Sequence, residues 1–208
     1  MVSRLPPQPH DLLWGLTPAQ LPGDAPAWVV AAMADGQPVV VRRALTAPGQ
    51  VAVGVRGRLR EQRYPTLMAL ASISRCVTPE ALCAVESDQP WPALRALALL
   101  RPQLDACGLV WGVSGSAGFE LASGVAALHQ GSDLDLIARS AEPLPRAQAR
   151  HLLALLDSAP CPVDLQLQTP NGALALREWA AGARRVLLKC AAGARLVENP
   201  WQALEQVA

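Results

Sequence analysis

The chain has 208 residues, of which 51% are hydrophobic and 17% charged, with a formal net charge of +1. This length and apolar content support a buried core and exclude a disordered chain, and the near-neutral balance gives no broad basic field for duplex nucleic acid. No apolar run approaches the ~20 residues of a membrane-spanning helix, and the opening MVSRLPPQPHDLLWG lacks the apolar centre of a signal peptide; a cytoplasmic protein with neither nucleic acid nor membrane as partner is expected.

In chain order, residues 1–26 are rich in proline and read as a mostly irregular arm carrying His10, Asp11 and Trp14. The turn signal DGQP precedes the strand-like VVVRR, and QVAVGVRG reads as a second strand. RLREQRYPTLMALASI brings Arg58, Arg60 and Arg63 ahead of an expected helix. Together these pieces predict a small α+β domain over residues 1–80. TPEALCAV predicts a short helix capped by Thr78 with Pro79 in its first turn, and PWPALRALALLRPQLDAC a second, with leucine and alanine at helical spacing. From Gly108 the texture changes. GLVWGVSGS reads as strand and turn, AGFELASGVAAL as helix, SDLDLIA as strand, LPRAQARHLLALLDSA as a long helix and CPVDLQLQT as strand. PNGALALREWAA is a turn leading into a further element. Alternating strands and helices predict a second α/β (α+β) domain over 81–208, with a mixed sheet flanked by helices.

The five cysteines are scattered without a C-x-x-C pair and the three histidines are isolated. That pattern predicts buried free thiols and neither a zinc site nor a disulfide framework. The chemistry is expected elsewhere. In SDLDLIA, Asp133 and Asp135 are two residues apart and project from one face of a strand, while Leu134 and Leu136 point the other way into a core. Two adjacent carboxylates repel each other, and a divalent cation between them removes the conflict. Magnesium suits such a site because it is held through carboxylates, substrate phosphates and retained waters. Asp164 in PVDLQLQ supplies a third carboxylate. If its strand neighbours the first, the three could hold two ions about 3.5–4 Å apart. Upstream, SGSAG lies between a strand and a helix. Its small residues allow close backbone approach, and free N–H groups at the helix start, with the Ser114 and Ser116 hydroxyls, favour an anion such as phosphate. Each feature alone is ordinary: a lone D-x-D is usually a solvated strand end, and a lone Gly/Ser turn is usually a connection. Their order and spacing carry the argument.

The combination GSAG…SDLDL…VDLQL resembles the nucleotidyltransferase superfamily typified by DNA polymerase beta, which implies a polymerase-beta-like core. A wider likeness runs through HDLLWG, PVVVRRA, VAVGVRG, QRYPTLMA, WGVSGSAGFELASGV, SDLDL and REWAAG…VLLK. It resembles the family of malonate decarboxylase phosphoribosyl-dephospho-CoA transferases (holo-acyl-carrier-protein synthases, MdcG-type). The resemblance implies an enzyme that moves a phosphoribosyl-dephospho-CoA unit from 2'-(5''-triphosphoribosyl)-3'-dephospho-CoA to a serine of the apo acyl-carrier subunit of malonate decarboxylase, releasing pyrophosphate. It also implies that Asp133 and Asp135 are the paired catalytic aspartates and magnesium ligands, and that Ser114, Gly115 and Ser116 form the triphosphate turn. At Asp164 the likeness thins, because the family segment LDGEL is replaced by VDLQL; Asp164 is either the third carboxylate or the site rests on two.

Cationic partners for phosphate are sought in Lys189 of RRVLLKC and in Arg63, with Tyr64, Arg42 and Arg43 as further contacts for dephospho-CoA or for an acidic carrier. Each also reads as an ordinary solvated residue. His10 and Trp14 read as packing residues of the arm, and Trp91, Trp111, Trp179 and Trp201 as core, one of them able to stack on adenine. Three other readings stay open at this point: a nucleotidyltransferase that adenylylates another protein or a small molecule, a non-catalytic binding module, and a structural subunit of the decarboxylase.

Overall fold

The structure, a computed structural model, describes residues 6–59 and 61–202; Arg60, one of the three arginines ahead of the expected helix, lies outside them. The first sheet has five strands: β1 (Leu12–Trp14), β2 (Val39–Val41), β3 (Gln50–Arg56), β4 (Arg63–Ala69) and β5 (Arg75–Val77). Their order is β4-β3-β2-β1-β5, and every pairing is antiparallel. Helix α1 (Ala27–Ala34) packs on one face through Val29, Ala32 and Met33, against Val39, Val41, Val53, Val55 and Met68.

Two features depart from the sequence reading. The N-terminal arm contributes β1, an interior strand between β2 and β5, secured further by the backbone bond from Val41 N to Asp11 O at 2.8 Å. RYPTLMA forms strand β4 and not a helix. It pairs with β3 from Arg56↔Arg63 to Gln50↔Ala69. Tyr64 and Met68 turn to the core, whereas Arg63, Pro65 and Leu67 are exposed. This period of two is the strand's signature, and Pro65 is tolerated because β4 is the outer strand of the sheet, with one edge unpaired among the described residues.

A 3-10 turn at Pro79–Leu82 links the two sheets, with Thr78 Oγ1 accepting a hydrogen bond from Ala81 N at 3.4 Å as the cap expected of it. Helix α2 (Pro92–Ala106) follows, starting on proline and burying Ala93, Ala96, Leu97, Leu100 and Leu104 at helical spacing. The second sheet then runs through β6 (Val110–Val113), helix α3 (Gly115–Ser123), β7 (Leu134–Arg139), helix α4 (Arg146–Leu156), β8 (Val163–Thr169), β9 (Gly172–Ala175), helix α5 (Leu176–Ala180), β10 (Val186–Cys190) and β11 (Gly193–Val197). Its six strands lie in the order β11-β10-β9-β8-β7-β6. Only β7 and β8 are parallel, as their connection through α4 requires. The sheet is therefore mixed and flanked by helices, in an α+β architecture of two units. Leu134, Leu136, Leu165 and Leu167 fill its core with the apolar faces of α2 and α4. Trp111 and Trp179 are buried, while Trp91 and Trp201 pack at the edge of that core. No helix among the described residues is long and apolar enough to cross a membrane.

Candidate active site

The register of the parallel pair determines the site. Asp135 in β7 stands directly beside Asp164 in β8, and Asp133 lies one residue before β7 begins. The strand alternation that buries Leu134 and Leu136 points all three carboxylates to the opposite side. One oxygen from each lies within 4.8 Å of the others; Asp133 and Asp135 are half-buried and Asp164 is exposed. The conditional expectation that the two strands be neighbours is met.

Strand β6 lies on the other side of β7 and delivers the chain to α3 through Ser114 and Gly115. Ser114 N donates to Asp135 O at 2.9 Å, and its buried hydroxyl donates to the same carbonyl at 3.4 Å. The Ser114 side chain is thereby committed to joining the turn to the strand. Gly115 has φ +60, and a Cβ there would fall 1.8 Å from Asp135 Oδ2. Both facts require glycine: the backbone conformation disfavours a side chain, and the Asp135 carboxylate occupies the space one would need. The carboxylate thus abuts the α3 start, and the loop before β7 is held from the same helix. Glu120 in α3 accepts hydrogen bonds from Ala127 N at 2.7 Å and Leu128 N at 2.8 Å through Oε2.

The first sheet closes over this arrangement. Arg56, at the end of β3, donates from Nη2 to Ser116 Oγ at 2.6 Å and to Ala127 O at 3.4 Å, with its guanidinium carbon 5.5 Å from the Phe119 ring centroid. Burial, followed by the neighbouring Arg63, pulls its pKa down to about 10, while Asp135 and Glu120 act in the opposite direction. It stays cationic at neutral pH. The sequence reading missed Arg56 because its partner is 60 residues away and only the folded pairing of the two units brings them together. A cleft of about 840 Å³ separates the sheets, lined by Ser114, Gly115, Ser116 and the three aspartates below and by Arg42, Arg56, Arg58 and Arg63 above. Arg63 stands at this cleft and donates to the loop carbonyls of Gln62 at 2.9 Å and Leu59 at 3.4 Å. Lys189 in β10 lines a smaller adjoining cavity of about 300 Å³, which shares His10, Ser114, Asp135 and Asp164 with the cleft.

His10 spans both cavities. Its φ of +78 is the one positive value at a non-glycine residue among the described residues, and its Nε2 pairs with Gln166 Oε1 at 3.1 Å. Burial lowers its pKa, and Arg43, Arg139 and Lys189 add to that, against the opposing bond from Gln166. Arg43 donates to Gln168 Oε1, so β8 meets the first sheet through Gln166 and Gln168.

The comparisons with known proteins give the family. The family model for the phosphoribosyl-dephospho-CoA transferase MdcG C-terminal domain matches residues 81–200, and that for its N-terminal domain matches residues 8–79. The chain belongs to the phosphoribosyl-dephospho-CoA transferase family. A relative from Pseudomonas fluorescens Pf-5 bearing that name is 72% identical over 200 residues, 96% of each chain. Relatives of the same name from Pseudomonas aeruginosa and Azotobacter vinelandii are each 55% identical, over 207 and 205 residues. They cover 99% of both chains in the first case, and 96% of this chain and 97% of the relative in the second. No solved structure matches the chain. Family membership makes the protein an enzyme of the nucleotidyltransferase type and removes the non-catalytic readings.

Proposed function

We infer that the protein transfers the phosphoribosyl-dephospho-CoA unit of 2'-(5''-triphosphoribosyl)-3'-dephospho-CoA to a serine hydroxyl of the apo acyl-carrier subunit of malonate decarboxylase, releasing pyrophosphate. The observation that carries this reading is the convergence of three carboxylates from two adjacent strands beside the glycine turn that starts α3. Residues 81–208 serve as the nucleotidyltransferase domain and residues 1–80 as the domain that covers it.

An all-carboxylate donor set on one sheet face fits a hard divalent cation. Asp133, Asp135 and Asp164 would hold magnesium, as one ion or two. When bound it would neutralise charge on the phosphates and acidify the attacking hydroxyl. The chain's own groups do the rest. The open backbone N–H groups of the first α3 turn, around Gly115 and Ser116, receive the triphosphate, because these donors lack partners within the helix. Ser114 fixes the turn against β7. Arg56 balances the anionic charge that accumulates as pyrophosphate departs, Arg63 adds charge at the cleft, and Lys189 does so from the adjoining cavity. Asp164, the most exposed of the three carboxylates, orients the incoming hydroxyl and accepts its proton. The new P–O bond forms at the α-phosphorus in line with the bond that breaks, so positioning supplies most of the rate.

The intact mass of the apo carrier subunit tests this reading, after incubation with magnesium and the triphosphate donor, with ATP alone as control. A mass increase of one prosthetic group, abolished by Asp133→Asn or Asp135→Asn in variants with unchanged circular dichroism, is the expected result. Full activity in either variant overturns the site. An adenylyl-sized increase with ATP alone overturns the donor.

A further inference from the structure

The first sheet has two faces, and the core uses only one. On the other face the antiparallel register sets side chains in three rows across the strands. The middle row is Leu12, Val40, Gly54 and Pro65, from Leu12↔Val40, Val40↔Gly54 and Gly54↔Pro65. All four line the cleft above the carboxylates. On one side of this row lie Arg56 and its pair partner Arg63. On the other lies Arg42, whose backbone N–H bonds the Ala52 carbonyl at 2.8 Å. An apolar trough therefore runs between the Arg56–Arg63 pair on one side and Arg42 on the other, and its centre is a glycine in the middle of a strand, toward which the Arg42 side chain reaches.

That glycine has no conformational reason to be there. Its φ is not in the left-handed region, and a β-branched residue would suit the strand better. A Cβ would meet the flexible Arg42 side chain first, at 3.3 Å from Cδ and 3.7 Å from Cγ, with the Val40 carbonyl oxygen no nearer than 4.0 Å, and so would intrude on the cleft side before it pressed on backbone. A mid-strand glycine without a bulge or turn marks close approach by another group.

We propose that the Leu12–Val40–Gly54–Pro65 trough is the adenosine subsite for the dephospho-CoA part of the donor. The chemistry matches. Dephospho-CoA is a flat apolar base with an anionic diphosphate arm, and in the donor the triphosphoribosyl arm leaves from the same nucleoside. The base lies across Gly54, the triphosphate arm runs past Arg56 and Arg63 to the α3 turn, and the diphosphate arm passes Arg42. The first sheet is thus a reader of the dephospho-CoA unit, and the carboxylate site below it handles only the phosphoryl group. This rests on the transferase reading above.

The test separates the two subsites by fragment. Binding of dephospho-CoA, and separately of pyrophosphate with magnesium, is measured calorimetrically on the intact wild-type protein, Gly54→Val and Asp135→Asn. Gly54→Val is expected to weaken dephospho-CoA by about tenfold or more while leaving pyrophosphate unchanged; the retained pyrophosphate affinity also reports an intact fold. Asp135→Asn should give the opposite pattern. Dephospho-CoA affinity within about twofold of wild type in Gly54→Val overturns the subsite. So does failure of a wild-type protein that loads the carrier to bind dephospho-CoA at all. Failure of the wild-type protein to load the carrier from the donor overturns the transferase reading instead.

Discussion

At the scale of single residues, Gly115 carries more constraint than any carboxylate it serves. Its φ of +60, and the mere 1.8 Å that would separate a Cβ from Asp135 Oδ2, mean that Gly115→Ala must displace either the helix start or the carboxylate. The positive φ alone costs about 1 kcal/mol, within reach of a folded protein. The larger consequence is chemical, because a shifted Asp135 no longer converges with Asp133 and Asp164. Gly115→Ala should fold with a modestly lower melting temperature and lose about 100-fold or more in transfer rate. Its magnesium-dependent gain in melting temperature should shrink in parallel. Carrier loading by mass and a thermal melt with and without magnesium check both parts. The sequence made this glycine visible through the SGSAG turn, but the reason it must be glycine needed the folded distance. Arg56 was not visible at all: it sits at the end of a strand among several arginines, and nothing local distinguishes it from Arg58 or Arg63.

Among elements, the first part of the second unit was readable through β8, because its strands and helices are long enough for the period of each to show, whereas the short β9 was read as a turn and β10 and β11 were not assigned. The D-x-D strand, the helices at 92–106 and 146–156 and the strand carrying Asp164 all formed as their patterns indicate. The first unit was less legible. Strand β1 has three residues, and its partners come from residues 39–40 and 75–77, so its status depends on pairing alone. Strand β4 was obscured by the run Leu67–Met68–Ala69–Leu70, which fits either period. Helix α3 has a second duty that no pattern announces: its Glu120 carboxylate collects the N–H groups of Ala127 and Leu128 and so shapes the loop leading to Asp133. Glu120→Ala leaves two half-buried donors without that partner and should cost about 1–3 kcal/mol. Looser placement of Asp133 should also raise the magnesium concentration needed for half-maximal transfer. Urea denaturation and a magnesium titration of carrier loading measure the two effects, and Glu120→Gln, which keeps one acceptor oxygen, should recover part of both.

For the whole molecule, the cleft exists only while the two sheets stay together, and polar contacts do much of the joining. Arg139 at the end of β7 bonds Glu80 at 2.6 Å and lies 4.0 Å from Asp11, which is buried in the first unit. Asp11 Oδ2 accepts from Gln8 N at 2.8 Å, whereas its Oδ1 has no hydrogen-bond partner among the described residues. Burial raises the pKa of Asp11 above 3.8, with Gln8 and Arg139 opposing and Glu80 reinforcing the rise. A carboxyl whose folded pKa is raised gives stability that is complete below its unfolded value and is lost as pH rises through the folded value. At neutral pH the ionised Asp11 is thus a cost that Arg139 offsets. Arg139→Gln removes the compensating charge, should push the Asp11 pKa up further and should destabilise the protein by about 1–3 kcal/mol at pH ~7. Because the lost attraction to Asp11 needs an ionised carboxylate, that share of the penalty, which adds to the loss of the Glu80 bond, must shrink as pH falls toward 3.8. Urea midpoints of wild type and Arg139→Gln at about pH 7 and about pH 5 resolve this, the gap being the narrower at the lower value. Weaker joining of the sheets also separates Arg56 from Ser116, so the same variant should show a raised KM for the donor at neutral pH, although Arg139 itself lies outside the residues that line the cleft.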